Sequence, residues 1–213
     1  MSGGRERPDF SRDAGDRSAR LRIFLAVFPG PKAQGVAAEM IERLRRPGDH
    51  VSWVQRENLH YTLQFLGNLG EDGARRAAEA AAEGASDHDA FDATLGSPGG
   101  FPTALGARVL WVGLSRGEKA LTALARSVQA ALQRRGFSRA DHAFSAHLTL
   151  GRVREPGTDW SEPLSRAGAW IAEAGASARF RVDRVVLVRS QLSPKGSTYT
   201  VRAEGLLREG SRS

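Results

Sequence analysis

Two segments of this chain repeat one another: Leu59-His60-Tyr61-Thr62-Leu63 and Ala146-His147-Leu148-Thr149-Leu150. A repeat of this kind constrains the fold more than any single motif, because it predicts two similar halves that each carry one copy. In both copies apolar residues alternate with the histidine and the threonine, as on a strand with one face in the core. His60, Thr62 and Gln64 then share one face and Leu59, Tyr61, Leu63 and Phe65 the other, while His147 and Thr149 lie opposite Leu148 and Leu150. Each strand offers an imidazole and a hydroxyl about 7 Å apart along its length.

The surrounding pattern interleaves strands and helices. The almost wholly apolar run 21–28 predicts a central strand buried on both faces, stopped by Pro29-Gly30-Pro31. A helix over 31–46 follows, with Pro31 in its first turn and Val36, Met40, Ile41 and Leu44 at helical spacing. Strands are expected at 51–55 and 59–67, then an alanine-rich helix at 71–85. Two further strands, 89–95 and 108–114, are separated by a Gly/Pro-rich stretch that reads as a loop. Leu121, Leu124, Ala125, Val128 and Leu132 form one stripe of a helix over 118–135. The second His-x-Thr strand covers 143–153, and a helix over 161–174 turns Leu164, Trp170 and Ile171 inward. Long strands at 178–192 and 197–206 form a hairpin around Ser193-Pro194-Lys195-Gly196. Residues 1–19 carry turn formers and mixed charge without periodicity and read as a disordered leader, leaving one bilobal domain over 20–208 and a flexible tail at 209–213.

Composition narrows the chemistry. The absence of cysteine excludes disulfides, thiolate zinc sites and cysteine nucleophiles. The N-terminus has no apolar core of a signal or anchor, so a cytoplasmic location with no membrane association is expected. A net charge of +7, with Lys32, Lys119 and Lys195 the only lysines among 31 basic residues, favours a polyanionic partner. An Arg-, Ala- and Gly-rich chain also follows from a GC-rich coding sequence, so charge alone does not decide.

Two imidazoles brought to opposite sides of a phosphorus atom suit in-line displacement, one taking the proton of an attacking water and the other protonating the leaving oxygen. Thr62 and Thr149 would then bind the non-bridging oxygens, where charge accumulates. No carboxylate stands at ligand spacing beside either histidine, so neither a metal nor another cofactor is expected. His50, His88 and His142 read as surface or loop residues, Trp53, Trp111 and Trp170 as core, and Phe101, Phe144 or Tyr199 as rings able to reach a nucleobase.

The chain resembles the LigT-like RNA 2',3'-cyclic phosphodiesterases of the 2H phosphoesterase superfamily, formerly described as 2'-5' RNA ligases. Besides the two repeats, the resemblance runs through Leu21-Arg22-Ile23-Phe24-Leu25-Ala26-Val27, Glu57-Asn58, Gln64-Phe65-Leu66-Gly67, Gly100-Phe101-Pro102, Arg108-Val109-Leu110-Trp111-Val112-Gly113, Gly151-Arg152 and Arg189-Ser190-Gln191-Leu192 with Gly196 and Tyr199. It implies an α+β fold of two pseudo-symmetric lobes, each with an antiparallel sheet and helices, around a central groove. It also implies metal-independent hydrolysis of a terminal 2',3'-cyclic phosphate to a 2'-phosphate, with reverse 2'-5' ligation as a side activity. In that scheme His60 protonates the departing 3'-oxygen, His147 activates water and Arg152 contacts phosphate. Strict alternation puts Arg152 opposite His147, so a bulge or a strand end is required for that role. One departure is Ala146, where the family usually has proline. The partners implied are RNA ends or nucleoside 2',3'-cyclic phosphates, acted on by a monomer. Two other readings are a nucleotide- or RNA-binding module of the same fold without catalysis, and a phosphodiesterase of small cyclic nucleotides.

Overall fold

The computed structural model describes residues 21–155, 157–193 and 196–209. The expected leader at 1–19, residues 210–213 of the expected tail, and Pro194-Lys195 of the hairpin signal lie outside the described residues. Among the described residues, nine strands and four α-helices follow one another as β1 (Leu21–Val27), α1 (Pro31–Leu44), β2 (Val51–Trp53), β3 (Tyr61–Leu69), α2 (Glu71–Ser86), β4 (Phe91–Phe101), β5 (Val109–Arg116), α3 (Glu118–Arg134), β6 (Leu148–Val153), α4 (Ser161–Glu173), β7 (Arg179–Val182), β8 (Arg184–Ser193) and β9 (Gly196–Leu206).

The strands form a curled antiparallel sheet in the order β7-β4-β5-β6-β3-β1-β8-β9, with β2 on β6. The two expected lobes are its two halves, β3-β1-β8-β9 and β7-β4-β5-β6-β2. They are not separate sheets: one pair, Tyr61 with Leu148, joins β3 to β6. The joining residues are those that follow the two histidines. Tyr61 is fully buried, stacks on Phe180 with ring centroids 6.0 Å apart and donates its hydroxyl to the Gly113 carbonyl at 3.4 Å.

The main core lies between one face of the sheet and the helices. β1 sends Ile23, Leu25 and Val27 into it, and turns Phe24 and Ala26 to the other face, where Val186 and Val188 join them in a second, small cluster. The expectation of a strand buried on both faces therefore holds. α1 leaves β1 but packs on α4, β6 and β7 of the opposite half, and α3 leaves β5 but packs on α2 and β3. Each half is thus covered in part by a helix that starts from the other.

Three expectations change. The Gly/Pro-rich stretch is not a loop: β4 runs through it to Phe101, pairing Pro98, Gly99, Gly100 and Phe101 with β5. Gly99 lies flat on the Trp111 indole, where a Cβ would overlap the ring, so glycine here serves close approach rather than a turn. The single strand expected at 178–192 is two, divided at Asp183. β7 pairs with β4 in one half and β8 with β1 in the other. Two adjacent exposed polar residues, Asp183 and Arg184, mark the crossing, and the core-facing positions change phase there from Phe180 and Val182 to Val185 and Leu187. Finally, the fully buried tryptophan is Trp160, while Trp53, Trp111 and Trp170 are half-buried.

Removing the ring that joins the halves should be costly. Tyr61→Ala is expected to lower unfolding free energy by about 3–5 kcal/mol in urea titration, as for other large aromatic truncations. Tyr61→Phe, which loses only one long hydrogen bond, should stay within about 1 kcal/mol of the parent.

Candidate active site

Both histidines sit one residue ahead of their strands rather than within them, which corrects the expected boundaries. The cause is shared. His60 Nδ1 lies 2.6 Å from the Asn58 carbonyl oxygen, and His147 Nδ1 lies 2.9 Å from that of Ser145, each two residues back. A carbonyl only accepts, so each Nδ1 carries the hydrogen and each Nε2 is left for a ligand. Asn58 is itself buried and fixed by donating Nδ2 to the Ser197 carbonyl at 2.7 Å, which ties the His60 turn to the start of β9.

The two imidazoles line one groove of about 960 Å³, together with Thr62, Thr149 and Arg152, so all five residues singled out in the sequence converge. Neither threonine hydroxyl has a hydrogen-bond partner among the described residues. The alternation argument fails at the same place in both strands. Ala26 pairs with Thr62 and Leu25 with Gln64, leaving Leu63 as an extra residue in β3. Trp111 pairs with Thr149 and Leu110 with Gly151, leaving Leu150 as the extra residue in β6. A bulge shifts the phase of everything after it. The bulge in β6 turns Arg152 to the groove, as its expected role requires. Its counterpart in β3 turns Phe65 there too, against the expectation that Phe65 shares the core face with Tyr61; Phe65 is 57% exposed. Phe65 and Arg152 occupy equivalent places in the two repeats.

The histidines differ in surroundings. His60 is boxed by Phe24, Phe28 and Tyr199 at ring-centroid distances of 4.8, 5.5 and 5.4 Å. Burial pushes its pKa below the ordinary imidazole range, the Asn58 carbonyl bond works against this, and repulsion from His147 across the groove adds to the depression. His147 is more open, with Phe101 edge-on at 5.3 Å and Phe101 in turn stacked on Trp111. Burial raises the Tyr199 pKa, while Arg22 and Arg152 lower it, which places both guanidiniums near that phenol.

Four guanidiniums, Arg76, Arg139, Arg152 and Arg154, line the groove against a single carboxylate, Asp141. Arg76 is engaged by Asp72 at 3.3 Å and by the Arg135 carbonyl at 2.6 Å. Arg139, Arg152 and Arg154 have no carboxylate partner among the described residues. The groove is therefore built for an anion. Phe144 and Tyr199 line it as expected of base-reaching rings, and Phe101 backs His147; His142, expected to be an unremarkable surface residue, also stands on its rim. Gln64 holds the wall made by residues 136–146, donating Nε2 to the Ser138 carbonyl at 3.0 Å. Among the described residues no three histidine or acidic side chains cluster closely enough to hold a metal ion, and no helix is long and apolar enough to cross a membrane.

A family model of the 2'-5' RNA ligase superfamily matches residues 31–194, and the chain belongs to that superfamily. Among individual proteins it is similar to the RNA 2',3'-cyclic phosphodiesterase of Methanothermobacter thermautotrophicus, 30% identical over 85% of this chain and 96% of that one. The RNA 2',3'-cyclic phosphodiesterase of Archaeoglobus fulgidus is 33% identical over 84% of this chain and 96% of its own. Of solved structures, TT0787 of Thermus thermophilus superposes with a TM-score of 0.71 at 25% identity, covering 90% of this chain and all of that one. LigT of E. coli complexed with 3'-AMP shares the fold, with a TM-score of 0.68 at 22% identity over 88% of this chain and 98% of that one.

The His60 environment fixes a sign. An imidazole whose folded pKa lies below its unfolded value of about 6.5 contributes stability that is complete above that pH and is lost as pH falls through it toward the folded value. In an NMR titration, His60 should titrate below about 6.5, and inorganic phosphate in the groove should move it upward. An upward shift in the free protein would contradict the burial argument.

Proposed function

We propose that this protein hydrolyses the 2',3'-cyclic phosphate at an RNA end to a 2'-phosphate, by acid-base catalysis between His60 and His147. The observation that carries the reading is the pair of histidines held in the same way, each by the carbonyl two residues back, with both Nε2 atoms left for one arginine-lined groove. The relatives named for this activity support the substrate class.

Water enters on the His147 side, and Nε2 of His147 takes its proton as its oxygen attacks phosphorus. The P–O3' bond breaks, and His60 Nε2 delivers a proton to the departing 3'-oxygen. The products are a 2'-phosphate and a 3'-hydroxyl; His147 ends protonated and His60 neutral, and proton exchange with solvent restores both. Burial alone favours neutral His60, and the bound phosphate anion favours its imidazolium, so that substrate binding supplies the protonated form this part requires. The Thr62 and Thr149 hydroxyls donate to the non-bridging oxygens and Arg152 neutralises them. Phe65 and Phe144 offer ring faces to bases. The same site, with a 5'-hydroxyl in place of water and the 3'-oxygen again leaving, would join a 2'-5' linkage.

The test is incubation of the protein, in EDTA, with a short RNA ending in a 2',3'-cyclic phosphate, resolving 2'- from 3'-phosphate products. Turnover to the 2'-phosphate is expected. His60→Ala and His147→Ala should each reduce kcat by about 10²–10⁴-fold with the fold intact by circular dichroism. Full activity in either variant would overturn the mechanism, and a 3'-phosphate product would reverse the assignment of the leaving oxygen.

A further inference from the structure

The groove extends past the catalytic pair along β6, and beyond Arg152 it is lined by Arg154, which has no part in the chemistry just described. Arg154 follows β6 directly, its backbone N–H still donating to the His50 carbonyl at 2.7 Å, so it stands two extended residues and about 7 Å beyond Arg152, and both line the groove. β2 lies alongside with Ser52 directly opposite Arg152. The Arg154 guanidinium is held in place: its Nε donates to the Ser52 hydroxyl. The nearest acid in sequence, Glu155, is turned instead to His50 at 3.4 Å. Arg154 therefore stands as an aimed cation whose terminal nitrogens have no partner among the described residues, two residues beyond the arginine that serves the reacting phosphate.

We propose that Arg154, positioned by Ser52, binds the internucleotide phosphate on the 5' side of the terminal nucleoside, so that the site selects oligonucleotides over free nucleoside cyclic phosphates. The inference rests on the function proposed above and adds its substrate class. Two phosphates flanking one ribose are separated by about the same span as two side chains at i and i+2 on a strand. Arg152 takes the cyclic phosphate and Arg154 the next one along. A bidentate guanidinium contact with phosphate is directional, which is why the anchoring bond from Nε matters: it leaves the two terminal nitrogens to face the ligand. Ser52 is thus a positioning residue and Arg154 a binding one.

The experiment compares kcat/KM for a dinucleotide ending in a 2',3'-cyclic phosphate with that for the corresponding nucleoside 2',3'-cyclic phosphate. Arg154→Ala should lower the preference for the dinucleotide by about tenfold, mainly through KM, the loss of one charged hydrogen-bond pair. It should also reduce the slope of log KM against log salt by about 0.7, one phosphate's worth on a single strand. Ser52→Ala should give a smaller loss of preference in the same direction, and Ser52→Thr, which keeps the hydroxyl, should restore it. An unchanged preference in Arg154→Ala overturns the proposal. So does an equal loss on both substrates, which would place Arg154 at the reacting phosphate. A parallel binding measurement by fluorescence anisotropy uses a labelled dinucleotide ending in a 2'-phosphate. It reads the subsite without turnover, so absence of hydrolysis by the parent protein would count against the proposed function alone. Unaltered affinity in Arg154→Ala would count against the subsite.

Discussion

One backbone pairing, Tyr61 with Leu148, is where the two halves of the sheet meet, and each partner is the residue next to a groove histidine. The distance between the two imidazoles is therefore set by a hydrogen-bonded ladder rather than by two loops. Tyr61 makes the junction rigid because its ring is wholly buried between β5 and β7, with Gly113 and Phe180 as neighbours. Acid-base catalysis by two groups is sensitive to their separation, and the fold meets that demand by starting both reactive side chains at one seam.

Around the seam, each half repeats the same three devices: a ring nitrogen tied to the carbonyl two residues back, a threonine on the groove face, and a bulge immediately after it. Equivalent backbones do not make an equivalent site. After the bulge one strand presents Phe65 and the other Arg152; one imidazole is enclosed by three aromatic rings and the other is open. The backbone thus supplies symmetry suited to a phosphorus with entering and leaving groups on opposite sides, while the side chains break that symmetry.

Much of this was legible from residue order. Strand β1, helix α3 with its stripe from Leu121 to Leu132, and the two His-x-Thr strands all declared themselves through apolar spacing, and the repeat pointed to both histidines. What escaped were features that alternation cannot encode. The crossing at Asp183 is marked only by a second polar residue, Arg184, between two strand-forming runs, so β7 and β8 read as one strand. The role of Arg152 demanded a bulge or a strand end in β6, but the twin bulge in β3 has no such prompt, and alternation puts Phe65 on the wrong face. Gly99 looked like a turn former because its actual reason, the Trp111 ring, lies on another strand. Asn58, Ser52 and Arg154 matter through partners far away in sequence, and nothing local distinguishes them from ordinary polar residues.

The exchange of helices bears on how such a groove can move. Since α1 rises from one half and rests on the other, and α3 does the reverse, swinging the halves apart would strip apolar stripes from the surfaces that cover them. A clamshell motion is thereby made expensive at every opening angle. Entry and exit of a ligand must then fall to parts outside the interlock, chiefly the segment 136–146 that Gln64 and Arg76 tether from the side. The groove is thus a trough whose two halves are locked to one another, with one wall attached to it through the side chains of Gln64 and Arg76.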